Sequence, residues 1–177
     1  MNKMARSVSQ VGLRPLLPAD TPVLAAIFVA SVDELAEDDY SESQREAWAS
    51  TVEDEDKFGK RLAGQLTLVA TIESSPVGFA SLKGKDHIDL LYVHPGFARQ
   101  GVATALCEAL EKLAVARGVT ALTVEASDTA EPFFAARGYA AQQRNTVSIG
   151  DEWLTNTTMK KSLGGAVPQG GMPGRLP

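Results

Sequence analysis

The run His87 to Leu106, HIDLLYVHPGFARQGVATAL, constrains the fold more than any other part of the sequence. A hydrophobic strand passes through Val93-His94-Pro95 into a loop, and the loop opens a helix at Gly101. The first N–H groups of a helix have no intrahelical partner and the macrodipole is positive there, so such a junction can hold an anion, a pyrophosphate above all. Gly101 lacks the side chain that would block close approach, and Ala103 keeps the next exposed position small. Other phosphate-binding patterns are excluded. There is no G-x-x-x-x-G-K-[ST] and no G-x-G-x-x-G, since Gly84-Lys85 is followed by Asp86 and stands five residues, not four, after Gly78. Taken alone, the loop reads more readily as a tight strand-to-helix turn. Its neighbours in the chain decide between the two.

Before it, Val11 to Leu16 predicts a short strand, and Asp20 a cap for a helix in which Leu24, Ile27, Phe28, Ser31, Val32 and Leu35 recur at helical spacing. Ser41-Glu42-Ser43-Gln44 matches a capping box ahead of a helix carrying Trp48, and a charged helical segment follows around Phe58 and Leu62. Leu66 to Ile72, Val77 to Leu82 and His87 to Val93 predict an antiparallel meander. Beyond the loop, Leu106, Leu110, Leu113 and Ala114 mark an amphipathic helix ending at Gly118. A strand over Val119 to Ala126, a helix over Thr129 to Arg137 and two strands around Gly150-Asp151, ending near Lys161, complete the order. Written out it is βααββββαβαββ, within one strand.

A chain of 177 residues, 44% hydrophobic, suffices for one compact domain, expected over 11–162. Flexible ends are expected at 1–10 and in the Gly/Pro-rich stretch 163–177. A net charge of −5 gives no long-range attraction for nucleic acid or anionic membranes, and the apolar stretch Val23 to Ala30 is too short to span a bilayer. Cys107 stands alone, and with His87 and His94 it makes no metal cluster, so no metal is expected and a reducing cytoplasm is.

Val93, Pro95, Gly101 and Ala103 follow a V-x-P turn and a [QR]-x-x-G-x-[GA] loop, and Glu131-Pro132-Phe133-Phe134-Ala135-Ala136-Arg137-Gly138-Tyr139 forms an aromatic-rich helix ending in Gly-Tyr. With these two signatures the chain resembles the Gcn5-related N-acetyltransferase family over nearly all of 11–162, and SDTAEPFFAARGY with QQRNTVSIGDEW is similar to a bacterial YafP-like subgroup. Ala98 departs from the pattern where Gln or Arg is usual. The resemblance implies an α+β fold of the three-layer sandwich kind, a mixed sheet of six to seven strands with helices on both faces. It implies acetyl-CoA as co-substrate and transfer of its acetyl group to a primary amine by direct attack in a ternary complex, in a monomer or homodimer. A catalytically silent acyl-CoA sensor, or an interaction domain of the same fold, is the alternative.

From the same resemblance, the amides of Leu91, Tyr92 and Val93 hold the pantetheine arm and acetyl carbonyl, and such donors can act as an oxyanion hole. Arg99, Gln100, Gly101, Val102, Ala103 and Thr104 hold the phosphates, with Ser127, Phe133 and Phe134 as further contacts. Aminolysis of a thioester needs a neutral amine, hence a base, and a proton for the departing thiolate. His87 occupies the strand position where the histone-acetylating members of that family keep a glutamate, and imidazole is the side chain chemically suited to taking a proton near neutral pH. Asp89 shares its face by the period of two, and Glu125 is a third candidate. The family's tyrosine acid is replaced by Phe134, which leaves Tyr92, Tyr139 or water. Trp48 and Tyr40 read as core or as pocket wall, and the acidic stretch Asp33 to Tyr40 as a solvated face or an attractor for a cationic amine.

Overall fold

The computed structural model describes residues 10–164; the flexible ends expected at either terminus fall almost wholly outside them. Seven strands form one sheet: β1 (Gly12–Pro15), β2 (Leu66–Ile72), β3 (Ser75–Lys83), β4 (His87–Val93), β5 (Ala121–Ser127), β6 (Ala140–Ile149) and β7 (Glu152–Ser162). Their spatial order is β1-β2-β3-β4-β5-β7-β6, antiparallel except where β4 meets β5. The helices are α1 (Thr21–Leu35), α2 (Glu42–Ser50), α3 (Glu55–Ala63), α4 (Val102–Ala116) and α5 (Glu131–Ala136). Three strands, not four, therefore run between the early helices and the loop, and the charged segment around Phe58 is α3.

Two cores sandwich the sheet. On one face Leu106, Leu110 and Ala114 of α4 and Phe134 of α5 pack on Ala80, Leu122, Val124 and Met159. On the other, Leu24, Phe28 and Val32 of α1 and Phe58 and Leu62 of α3 pack on Val69, Phe79 and Leu90. Burial of these side chains against the sheet, more than helix propensity, holds short helices such as α3 in place.

The capping box at α2 is complete. Ser41 Oγ accepts from the Gln44 N–H at 3.2 Å, and Gln44 Oε1 accepts from the Ser41 N–H at 2.9 Å. Asp20 does not cap α1 through its side chain. Its carboxylate instead accepts from Arg14 at 2.7 and 2.9 Å and from the Leu17 N–H at 2.7 Å, closing the turn between β1 and α1. A buried carboxylate takes the charged partner within reach in preference to a helix end.

Two irregularities set β4 apart from its neighbours. Register with β3 shifts between Leu82↔Ile88 and Ser81↔Leu90, leaving Asp89 as an extra residue in a bulge. Ile88 therefore packs with the α4 core while Leu90, two residues on, packs with the α1–α3 core. Pairing with β5 stops after His87↔Thr123 and Ile88↔Val124, so the two strands diverge beyond Ile88.

Candidate active site

The divergence of β4 from β5 opens a cavity of about 640 Å³, within the range of small-molecule and cofactor sites. It is lined by His87, Asp89, Leu91, Tyr92, Val93, Arg99, Gly101, Val102, Ala103, Thr104, Ser127, Phe133 and Phe134. Of the residues singled out from the sequence as catalytic or cofactor-binding, Gln100 and Tyr139 alone lie off this cavity. The Gln100 side-chain amide turns back to the Gly96 carbonyl at 3.3 Å.

At one end lies the loop before α4. His94 accepts the Gly96 N–H on Nδ1 at 3.0 Å, and the Phe97 and Ala98 N–H groups bond to His94 and Pro95 carbonyls. Beyond Ala98 this pairing ends. The N–H groups of Arg99, Gln100 and Gly101 have no hydrogen-bond partner among the described residues, and those of Val102, Ala103 and Thr104 form the open first turn of α4. Arg99 at φ 60° and Gly101 at φ 83° take left-handed conformations, the backbone alternation that turns successive amides into an anion-binding concavity. A Cβ at Gly101 would meet nothing within 4 Å, so the space beside it is open.

Midway along the cavity is the unpaired edge of β4. The His94 N–H donates to the Val77 carbonyl of β3 at 2.8 Å. Alternation then directs the Tyr92 N–H toward β3 and those of Leu91 and Val93 toward the opening. The expected triad of amides thus reduces to two donors.

At the far end stand the ionisable groups. His87 Nδ1 lies 2.8 Å from Thr123 Oγ1. Asp89 Oδ2 accepts from Arg61 Nε at 2.8 Å and from Gln65 Nε2 at 2.7 Å. Burial pushes the Asp89 carboxyl upward, but the Arg61 and Gln65 hydrogen bonds and the Arg61 charge outweigh it, holding the carboxyl below the usual range. His87 and Asp89 do share the cavity, although the bulge at Asp89 breaks the period that predicted it. Glu125 is exposed and also lines the cavity.

The candidate acids separate clearly. Tyr139 is 3% exposed; its hydroxyl donates to Glu111 Oε1 at 3.0 Å beneath α4, away from the cavity. Tyr92 lines the cavity, with its ring 4.2 Å from Phe28 and 5.7 Å from Phe79, and burial pushes its hydroxyl pKa up. Phe134 is a core residue wedged against Phe133 and Tyr139, and Phe133 is the more exposed of the pair. Ser127 Oγ accepts from the Ala130 N–H at 3.1 Å, shaping the turn into α5. Cys107 is fully buried, and burial pushes its thiol up.

Tyr40 ties together the elements around the C-terminal end of β5, donating to the Thr155 carbonyl at 2.6 Å and accepting from the Asp128 N–H at 2.9 Å. Its ring meets Trp48 at 5.4 Å, and both line the cavity. The exposed carboxylates between Asp33 and Asp39 do not. Sequence reasoning missed Arg61, Gln65, Thr123 and the apolar wall of Val147, Ile149 and Leu154. These converge only through tertiary pairing, so no local pattern marks them. Among the described residues no cluster of three or more His, Cys, Asp or Glu could hold a metal ion, and no helix is long and apolar enough to cross a membrane.

Comparison with known proteins agrees with this geometry. The family model described as "Acetyltransferase (GNAT) domain" matches residues 36–163. The chain is 37% identical over 153 residues to the "Uncharacterized N-acetyltransferase YafP" of Escherichia coli K12, covering 86% of this chain and 97% of that one. A crystal structure from Rhodopseudomonas palustris, described as a GCN5-related N-acetyltransferase, superposes with a TM-score of 0.85 at 65% identity, covering 87% of this chain and 96% of the other. The PaiA N-acetyltransferase of Thermoplasma acidophilum, solved in complex with coenzyme A, shares the fold at a TM-score of 0.71 and 18% identity, over 86% of this chain and 99% of its own.

Proposed function

The chain belongs to the GNAT acetyltransferase family, and from that premise we propose that it transfers an acetyl group from acetyl-CoA to a primary amine by direct attack within a ternary complex. One observation carries the reading. Six successive N–H groups, Arg99 to Thr104, lie without partners among the described residues, and all but that of Gln100 belong to residues lining the cavity that the unpaired edge of β4 also lines.

In this reading the loop amides and the positive end of α4 bind the pyrophosphate. The missing Gln or Arg at Ala98 matters little, because backbone donors do the binding. The Leu91 N–H donates to the acetyl carbonyl oxygen, where negative charge develops as the amine attacks, and the Val93 N–H, about 7 Å further along the strand, meets the pantetheine arm. His87 takes the proton from the attacking ammonium. Leu91 lies four positions further along the strand, about 13 Å away, so the proton travels through water between them. Asp89 is committed to Arg61 and Gln65 and is the poorer base. The departing thiolate takes its proton from solvent or from Tyr92, whose hydroxyl burial keeps protonated.

Isothermal titration calorimetry with acetyl-CoA tests the site. One equivalent binds per chain, and Gly101→Glu abolishes binding, since its carboxylate sits where the phosphates sit and its backbone resists the left-handed conformation. A folded Gly101→Glu variant with unchanged affinity would rule out the loop as the phosphate site.

A further inference from the structure

Resting on that reading, we infer that the acceptor amine carries a carboxylate and an apolar side chain, as a free aliphatic or aromatic amino acid does, and that Arg61 is the residue that grips the carboxylate. Arg61 lies on α3 and lines the cavity, and its side chain is 39% exposed. Only its Nε is engaged, with Asp89 Oδ2 at 2.8 Å; the two terminal nitrogens have no hydrogen-bond partner among the described residues. Gln65 holds the same Asp89 oxygen at 2.7 Å, and Gln65 Oε1 in turn accepts from Ser81 Oγ at 2.6 Å. The guanidinium is therefore anchored on one edge while its outer edge remains open. A planar fork fixed in this way is suited to bind a carboxylate through two parallel hydrogen bonds.

Distance agrees with this assignment. Asp89, which anchors the fork, is two residues from Leu91, a rise of about 7 Å along β4. That span fits an amine nitrogen at the reacting carbon, a carboxylate two bonds away, and one hydrogen bond. The wall level with Leu91 and Tyr92 is mostly apolar, made by Val32, Leu35, Ala36, Trp48, Ile149 and Leu154, with Ser31, Tyr40, Thr155 and Asn156 among them. Among the described residues a polyamine or lysine-rich tail would find one unpaired carboxylate in the cavity, Glu125, because Asp89 is already neutralised and the acidic residues from Asp33 to Asp39 stand outside it.

The test pairs acceptors that differ only in the carboxylate: leucine against isoamylamine, and phenylalanine against phenethylamine, with saturating acetyl-CoA and the full chain. The amino acid of each pair is acetylated with kcat/KM about 10- to 100-fold higher, the scale of a charge-assisted bidentate contact. Arg61→Gln collapses that ratio toward one, and so does Arg61→Lys, which keeps the charge and loses the fork; melting temperatures establish that both variants fold. A merely structural role for Arg61 would alter both members of a pair together and leave their ratio in place. Amines acetylated as well as amino acids, a ratio unmoved in the Arg61 variants, or acetylation of neither series overturns the inference. In the last case, heat released on acetyl-CoA titration still separates failure of this inference from failure of the cofactor site.

Discussion

His87 enters the cavity from the first residue of β4, and the hydrogen bond between its Nδ1 and Thr123 Oγ1 at 2.8 Å leaves Nε2 free of any partner among the described residues. Asp89, by contrast, holds two donors, and its lowered carboxyl pKa makes it a weak proton acceptor. His87→Ala is therefore expected to lower kcat by about 100-fold or more, the usual scale of general-base catalysis. Acetyl-CoA affinity should change little, because the cofactor contacts begin at Leu91. Steady-state kinetics beside calorimetry checks both halves. If His87→Ala keeps full kcat and Asp89→Asn does not, the base is Asp89; if both keep it, the base is elsewhere, as at Glu125, or is solvent. Residues of this kind were legible in the sequence because loop and strand bring them together over a few positions. Arg61 was not: it meets Asp89 from a helix 28 residues away, and nothing near Arg61 in the chain signals that meeting.

Among the elements, α4 shows how a functional helix end is held. Its N-terminus is left open toward the cavity, while its middle is fastened by a network around Glu111. That carboxylate accepts from Lys161 of β7 at 2.9 Å, from Tyr139 at 3.0 Å and from Arg137 at 3.2 Å. Burial pushes the Glu111 carboxyl up, but the Lys161 and Tyr139 hydrogen bonds and the two cations prevail and hold it below its ordinary value. A depressed folded-state pKa contributes stability that is complete above the unfolded value, about 4.3, and is lost as pH falls through the folded one. Glu111→Gln should destabilise the fold by about 3 kcal/mol at neutral pH, since it strands cations in a partly buried site. It should also flatten the loss of stability below about pH 4.3. Denaturant unfolding from pH 7 to 3 measures both, and a variant with an unchanged acid limb would show that other carboxylates control it. The helices and strands themselves were legible from periodicity, caps and turns. The bulge at Asp89 was not, because a single extra residue leaves no mark on a short apolar strand, yet it moves every later side chain to the opposite face.

On the scale of the whole molecule, the sheet is continuous from β1 to β6 except where β4 and β5 part, and function is assigned to that parting. A parallel pair held at two positions and then released gives an interior edge with unpaired amides, flanked by a helix N-terminus on one side and by apolar walls on the other. The mixed sheet was expected from the family resemblance. The free amides of β4 were expected only through family resemblance, since pairing between residues as far apart as His87 and Thr123 depends on what α4 and β7 do. In the proposed function this opening moves an acetyl group and does not merely hold it. Acetyl-CoA carrying a carbon-13 acetyl group, incubated with the chain and a set of primary amines, tests this most directly by mass spectrometry of the amines. The expected result is a labelled N-acetyl amine formed in equal amount with free coenzyme A thiol, and the loss of both in Gly101→Glu. Stoichiometric acetyl-CoA binding with no labelled amine from any acceptor would contradict it and leave a protein that only senses the thioester.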